Sequence, residues 1–429
     1  MLKVRLSLMM FLQYAIWGAW LPILYPFLSG HRGFKPEQIG TMFAVGAVGS
    51  IVAPFIAGQV ADRYFSTEKF LGISHILGGL LVWQLSEITT YSGFLWFSLA
   101  YSLIYSPTLS LTNSISFHHL PDRDKDFGKV RLWGTIGWIA VGIGIGQWLL
   151  RSHTPAGAEG AALDAARFAG MADAFRVSAA LGIALGVYCF TLPHTPPDRN
   201  KKTNATFAAI GEVRKQPLLT LFLLAVPVSC IHQFYFVHTS GFLGQYQAKA
   251  TGLVDSINSI FGVGGGGLMT IGQMSEILVL GAIPLVAKSL SRKSLLTIGL
   301  AAYAARMALF AYVGPISQAT GIAEVPILML GVALHGLCFG CFIFVSFLVI
   351  DENTTADIRA SAQTLFGLVI FGIGIIVGSQ VAGWVANRAT DEATKAVNYT
   401  TMFSYPMWAA LACLVVFAMA YPSGKKAAA

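Results

Sequence analysis

The stretch Pro193-His194-Thr195-Pro196-Pro197-Asp198-Arg199-Asn200-Lys201-Lys202 opens a polar segment that runs to Gln216 and adds Arg214 and Lys215. Long apolar blocks lie on both sides of it, about six before and six after. Each is near the roughly 20 residues that a helix needs to cross a bilayer. By hydropathy they fall near 5–28, 37–61, 68–89, 94–118, 129–150 and 173–192, then 217–245, 262–287, 293–313, 323–350, 357–385 and 399–421. This reading predicts an all-α membrane protein with twelve transmembrane helices in two pseudo-symmetric six-helix bundles. The N-terminal bundle covers 1–192, a cytoplasmic linker 193–216 and the C-terminal bundle 217–429.

Composition points the same way. The 429 residues are 55% hydrophobic and 11% charged, with a mean hydropathy of +0.65. Soluble domains carry about 25% charged residues, so this chain cannot cover a soluble surface. The net charge of +8 would suit nucleic acid in a soluble protein. In a membrane protein, basic residues gather on cytoplasmic loops, and no nucleic-acid partner is expected. The cysteines Cys189, Cys230, Cys338, Cys341 and Cys413 all fall inside apolar blocks. There the Cys338-x-x-Cys341 pair reads as small apolar filler and not as a redox or metal motif. Lys3 and Arg5 precede an apolar run that continues to about Phe27 without an early small-residue cleavage site. It reads as a retained first helix and not as a signal peptide.

Orientation follows from the positive charges. With the N-terminus inside, the inner segments carry Lys3, Arg5, Arg63, Lys69, Arg123, Lys125, Lys129, Arg131, the five basic residues of the linker, Lys288, Arg292, Lys293, Arg359, Lys425 and Lys426. Fewer than half as many lie outside, so both termini are expected in the cytoplasm. Ala156 to Ala172 is expected to be a mobile Ala/Gly-rich outer loop without chemistry. Six spans, a long cytoplasmic linker and six more spans resemble the layout of the major facilitator superfamily. A weak internal repeat agrees: Val130-Arg131 and Ile358-Arg359 stand at the inner ends of the corresponding fifth and eleventh spans. Gly58-x-x-Ala61-Asp62-Arg63 with Lys69 also resembles that superfamily's cytoplasmic signature, although Phe65 stands where a Gly is usual. Glycine there would allow a tight turn, and Asp with Arg a charge latch.

Ionisable groups at membrane depth are costly, so each one is a candidate site. Glu276 lies mid-span in Ile271-Gly272-Gln273-Met274-Ser275-Glu276-Ile277-Leu278. Gln273 shares its face at i,i+3, and an amide beside a carboxylate suits hydroxyl groups or a proton. Arg131, Thr135 and Trp138 form a stripe at i, i+4, i+7, offering a charge, a hydroxyl and an aromatic plane. Gln233 sits within span seven, and His335 and Phe339 share a face of span ten, where they would suit a planar ligand. Gln13, Trp17 and Trp20 line one side of span one. Arg306 and Glu87 read as members of structural pairs or as snorkelling side chains. Together these groups suit a neutral ligand with hydroxyls and a flat ring, as a nucleoside has.

At these residues the sequence resembles the nucleoside:proton symporter family of the major facilitator superfamily. The likeness runs through Phe11-Leu12-Gln13-Tyr14-Ala15-Ile16-Trp17-Gly18-Ala19-Trp20-Leu21, Pro107-Thr108-Leu109-Ser110-Leu111-Thr112-Asn113-Ser114-Ile115-Ser116 and Arg131-Leu132-Trp133-Gly134-Thr135-Ile136-Gly137, then Gln273-Met274-Ser275-Glu276 and Ile358-Arg359-Ala360-Ser361-Ala362-Gln363. The resemblance implies a nucleoside site between the two halves, with Arg131, Thr135, Trp138, Gln233, Gln273, Glu276, His335 and Phe339 on substrate. Two departures stand out. Phe236 is found where the family commonly has a polar residue, and Gly340 where it often has Asp. Glu276 is therefore the candidate for proton coupling.

The expected function is nucleoside symport with protons into the cytoplasm across the bacterial inner membrane. Alternating access would rock the two halves about the site. A monomer in the lipid bilayer is expected, with no cofactor and no metal. The alternative is a facilitator or symporter for sugars or another small polar solute. A membrane enzyme would need a nucleophile–base pair or a metal cluster, and His118-His119 has no acid or cysteine set at ligand spacing.

Overall fold

The computed structural model describes residues 2–56, 64–196, 211–249, 252–287, 289–355, 358–391, 393–394 and 396–422. Among these residues twelve long helices follow one another. The first six are α1 Leu2–His31, α2 Pro36–Phe55, α3 Thr67–Glu87, α4 Tyr91–His119, α5 Arg123–Ser152 and α6 Gly160–Cys189. The second six are α7 Leu218–Ala248, α8 Gly266–Val286, α9 Arg292–Ala311, α10 Glu324–Glu352, α11 Ser361–Ala389 and α12 Tyr399–Ala420. Each expected span coincides with one of them. Ten are long and apolar enough to cross a membrane by length and composition. The other two, α2 and α3, are 20 and 21 residues long. The motif Gly58–Arg63 and the linker residues Arg199, Lys201 and Lys202 lie outside the described residues.

The segment Ala156–Ala172 is not the loop expected of it. Gly160–Gly170 is helical and runs through Met171 into Ala172–Cys189. Ala161, Ala162, Leu163, Ala165, Ala166 and Arg167 are strong helix formers, whereas Asp164 and Arg167 depress the hydropathy that marks a span. Arg167 is buried and donates from Nε to Thr154 Oγ1 at 3.1 Å.

Irregular turns fall where the sequence puts proline or glycine. In α1, Pro22 and Pro26 accompany a tightened turn over Leu21–Ile23 and a widened one over Phe27–His31, because proline removes a backbone donor and crowds the preceding turn. Two further widened, i→i+5 turns occur in α10 at Cys338–Phe344 and in α11 at Leu368–Ile373.

The chain divides into two compact units, one of Met1–Lys201 with Val237–Thr270 and one of Lys202–Phe236 with Ile271–Ala429. In the first, α1 packs along α5, α3 along α6 and α2 along α4. Small residues let these backbones meet, as expected where lipid tails offer no hydrophobic drive between helices. A Cβ at Gly137 would lie 2.2 Å from Phe11 O, and one at Gly186 2.8 Å from Gly72 O. In the second unit, α9 packs on α12 and on the widened turn of α10. Ion pairs tie the helix ends: Lys3–Asp126 at 2.6 Å, Arg176 to Glu87 at 2.8 Å and to Asp173 at 2.9 Å, Arg292–Glu352 at 2.6 Å and Arg359–Asp351 at 3.4 Å. Apart from Lys3–Asp126, whose carboxylate is buried, these pairs are at least partly exposed and contribute little to stability. They pin ends that the apolar packing has already brought together.

Candidate functional site

In the first unit the stripe on α5 is braced by α1. Arg131 lies about two turns inside its helix, and its Cζ stands 4.0 Å from the centroid of the Tyr14 ring. The guanidinium is thus held by a π face. Trp138 meets Trp17 edge-on, with centroids 6.0 Å apart and planes at 76°. It rests on Gly18, where a Cβ would come within 2.9 Å of the indole. Arg131, Thr135 and Trp138 are all half-buried.

The span-one candidates separate. Gln13 is fully buried; it donates to Thr108 Oγ1 at 2.9 Å, and its carbonyl accepts from Tyr105 Oη at 2.5 Å. Trp20 stacks on Phe175 with centroids 5.4 Å apart. Both face the unit's interior. Trp17 alone stays beside the α5 stripe.

In the second unit, α7, α8, α9 and α10 bring polar side chains together around His335. Gln273 and Glu276 stand one turn apart on α8. Glu276 keeps 18% of its side chain exposed, whereas Gln273 is buried and its Oε1 has no hydrogen-bond partner among the described residues. Gln233 of α7 is buried and accepts from Ser379 Oγ at 3.3 Å. His335 is 1% exposed. Its Nε2 lies 3.6 Å from Glu276 Oε2, and its Nδ1 3.2 Å from Arg306 Nη1. The imidazole is stacked against Tyr235 at 4.9 Å, His232 at 5.4 Å and Phe339 at 6.3 Å, and Phe236 meets it edge-on at 5.9 Å. Gly272 makes this packing possible, because a Cβ there would lie 2.8 Å from Tyr235 Oη and 3.0 Å from His335 Cβ. Phe339 and Gly340 fall in the widened turn of α10, a kind of irregularity common at functional sites.

Arg306 does not snorkel. It is fully buried, with its Cζ 4.3 Å from the Tyr235 ring and 5.1 Å from the Tyr303 ring. The guanidinium lies on the buried face of α9, five residues before the helix ends at Ala311, and is packed against aromatic faces instead of reaching toward that end. Glu87, by contrast, pairs with Arg176. Sequence reasoning passed over Arg306, Tyr303 and His232 as parts of this cluster. The available signal was an arginine inside an apolar span, which is costly enough to mark a site by itself. What it lacked was a partner visible in the chain, since His335 is 29 residues away.

The first unit offers a cation, a hydroxyl and aromatic planes, and the second amides, a carboxylate, an imidazole and aromatic planes, each set on long helices. Twelve long helices, ten of them long and apolar enough to cross a membrane, with such groups among them, fit a transporter of the major facilitator class. More narrowly, the chain belongs to the Nucleoside H+ symporter family, whose profile matches residues 1–425. It is 32% identical to YegT of Escherichia coli (strain K12) over 394 residues, which is 88% of this chain and 83% of that protein. It is 26% identical to the nucleoside permease NupG of the same organism over 402 residues, 91% of this chain and 89% of NupG. The crystal structure of a point mutant of the nucleoside transporter NupG superposes with a TM-score of 0.84 at 25% identity, covering 98% of this chain and 99% of that one.

Proposed function

We propose that this chain carries nucleosides across the bacterial inner membrane together with protons, by alternating access. The observation that carries this reading is the family match over residues 1–425. The chemistry of the polar side chains at membrane depth supports it. The residues proposed to bind the nucleoside are Arg131, Thr135 and Trp138 of α5, Gln233 of α7, Gln273 and Glu276 of α8, and His335 and Phe339 of α10. Amides and the carboxylate serve sugar hydroxyls and base edges, and the aromatic planes serve the base. Glu276 is the proton-coupling residue: it is an acid on a membrane-spanning helix, partly accessible, and one turn from Gln273. Along the sequence the chain is read as an N-terminal bundle over 1–192, a linker over 193–216 and a C-terminal bundle over 217–429, although by compactness Val237–Thr270 joins the first unit. It works as a monomer in the lipid bilayer with both termini in the cytoplasm, an orientation supported by its basic residues.

The test is uptake of labelled uridine and adenosine by cells lacking their own nucleoside carriers, with and without a protonophore. Accumulation that the protonophore abolishes is the expected result. Cells that take up no more of either nucleoside than vector controls would overturn the reading.

A further inference from the structure

We propose that Arg306 is a positioning residue for the nucleoside site: it fixes His335 as the Nε2–H tautomer and directs that N–H at Glu276. The inference rests on the reading above that Glu276 and His335 belong to the site.

A guanidinium donates five N–H bonds and accepts none. With Arg306 Nη1 3.2 Å from His335 Nδ1, that nitrogen must be the acceptor, so it carries no proton. The single proton of the neutral ring then sits on Nε2, the atom that faces Glu276 Oε2 at 3.6 Å. This is longer than a hydrogen bond but close enough for the N–H dipole to favour the carboxylate electrostatically. The opposite tautomer would set a nitrogen lone pair against that carboxylate. It would also leave the guanidinium facing an N–H.

The surroundings hold the arrangement in place. The imidazole is stacked against Tyr235 at 4.9 Å and His232 at 5.4 Å, which opposes rotation of the ring. His232 Nδ1 is 2.8 Å from Tyr303 Oη, so the second histidine is tied to the same helix as Arg306. The titratable and charged groups around His335 are thus Glu276 of α8, Arg306 and Tyr303 of α9, His232 and Tyr235 of α7 and Cys338 of α10. Arg306 makes its hydrogen bond to His335, while its Nε and Nη2 have no hydrogen-bond partner among the described residues. A buried cation at membrane depth is expensive, and a residue needed only for packing would not require one. In metal sites, outer partners of this kind fix the tautomer of a ligating histidine, and their loss typically costs about 10–100-fold in metal affinity or activity; a loss at the low end of that range is expected here.

The experiment uses the purified full-length protein. Labelled uridine binding and the histidine 15N signals are measured for the parent, Arg306→Met, Arg306→Gln, Arg306→Lys, His335→Gln, the double variant Arg306→Met/His335→Gln, and Glu276→Ala. The signal lost in His335→Gln identifies His335. The parent is expected to show the Nε2–H pattern, Arg306→Met a shift away from it, and uridine affinity about tenfold weaker in Arg306→Met. In the His335→Gln background, Arg306→Met is expected to add less than about twofold, because residues acting through one another are not additive. If Arg306→Met does not yield folded protein, Arg306→Gln carries the same comparison, since an amide can accept as well as donate and so no longer forces Nδ1 to be the acceptor, whereas Arg306→Lys, which like Arg only donates, is expected to keep the Nε2–H pattern. An unchanged His335 pattern, or a full independent loss in the double variant, overturns the inference and leaves the site reading intact. Parent affinity in Glu276→Ala instead overturns the site reading on which the inference rests, while the nitrogen signals still report whether Arg306 holds the ring.

Discussion

Gly340 of α10 is packed against Val279 of α8 so closely that a Cβ at 340 would lie 2.7 Å from Val279 Cγ1. Valine branches at Cβ and has little rotamer freedom in a helix, so it cannot swing aside. The position where family members often carry Asp has no room for one here. Gly340→Asp is therefore expected to destabilise the protein. Overpacking alone costs about 1–3 kcal/mol, and an added carboxylate raises that. Thermal unfolding of the purified protein should show a lower Tm for Gly340→Asp and partial recovery in Val279→Ala/Gly340→Asp. A single variant as stable as the parent would contradict the packing.

Glu276→Gln keeps the shape and most of the hydrogen bonding of the parent side chain but removes titration. It is expected to retain nucleoside binding and exchange while losing accumulation driven by a pH gradient. Glu276→Ala is expected to lose both. Counterflow and gradient-driven uptake in proteoliposomes separate these outcomes. Concentration of nucleoside by Glu276→Gln to the parent level would move coupling to another residue.

Arg131 is held over the Tyr14 ring and has no ion-pair partner among the described residues, unlike Arg359, which reaches Asp351 at 3.4 Å. Arg131→Ala is expected to abolish nucleoside binding in a protein that still inserts. Tyr14→Leu removes a cation–π contact of about 1 kcal/mol, so uridine affinity should fall roughly fivefold. Equilibrium binding to detergent-purified variants decides between this and an anchor. An anchoring role predicts altered insertion with affinity unchanged.

The 193–216 segment is expected to face the cytoplasm. Reporter fusions placed within it should give cytoplasmic signals, as should fusions at the C-terminus. A periplasmic signal from the linker would break the layout of six spans on each side.

The helices were legible because hydropathy over 20 residues is a local property. Trp138 and Arg131 were legible as a stripe because helical spacing alone places them on one face. The helix over Gly160–Gly170 was not, since Asp164 and Arg167 mask its helical propensity from a hydropathy window. Gln13 and Trp20 show the other limit. They share a face with Trp17 by spacing, yet Thr108 and Phe175 draw them into the interior.

The sequence by itself determined that this chain is a multi-pass membrane protein and where its long helices fall. It also determined that the costly polar groups of α5, α7, α8 and α10 are candidates for contact with solute. Those conclusions need only chain-local quantities: length, hydropathy, and the 3.6-residue period. The tertiary structure alone decided that Arg306 is joined to His335, that Glu276 faces the other nitrogen of the same ring, and that Gly340 has no space for an acid. Each of these depends on two helices approaching to within a few ångströms. That approach is set by small residues and ring packing at positions 29 or more apart in the chain, where no periodicity connects them.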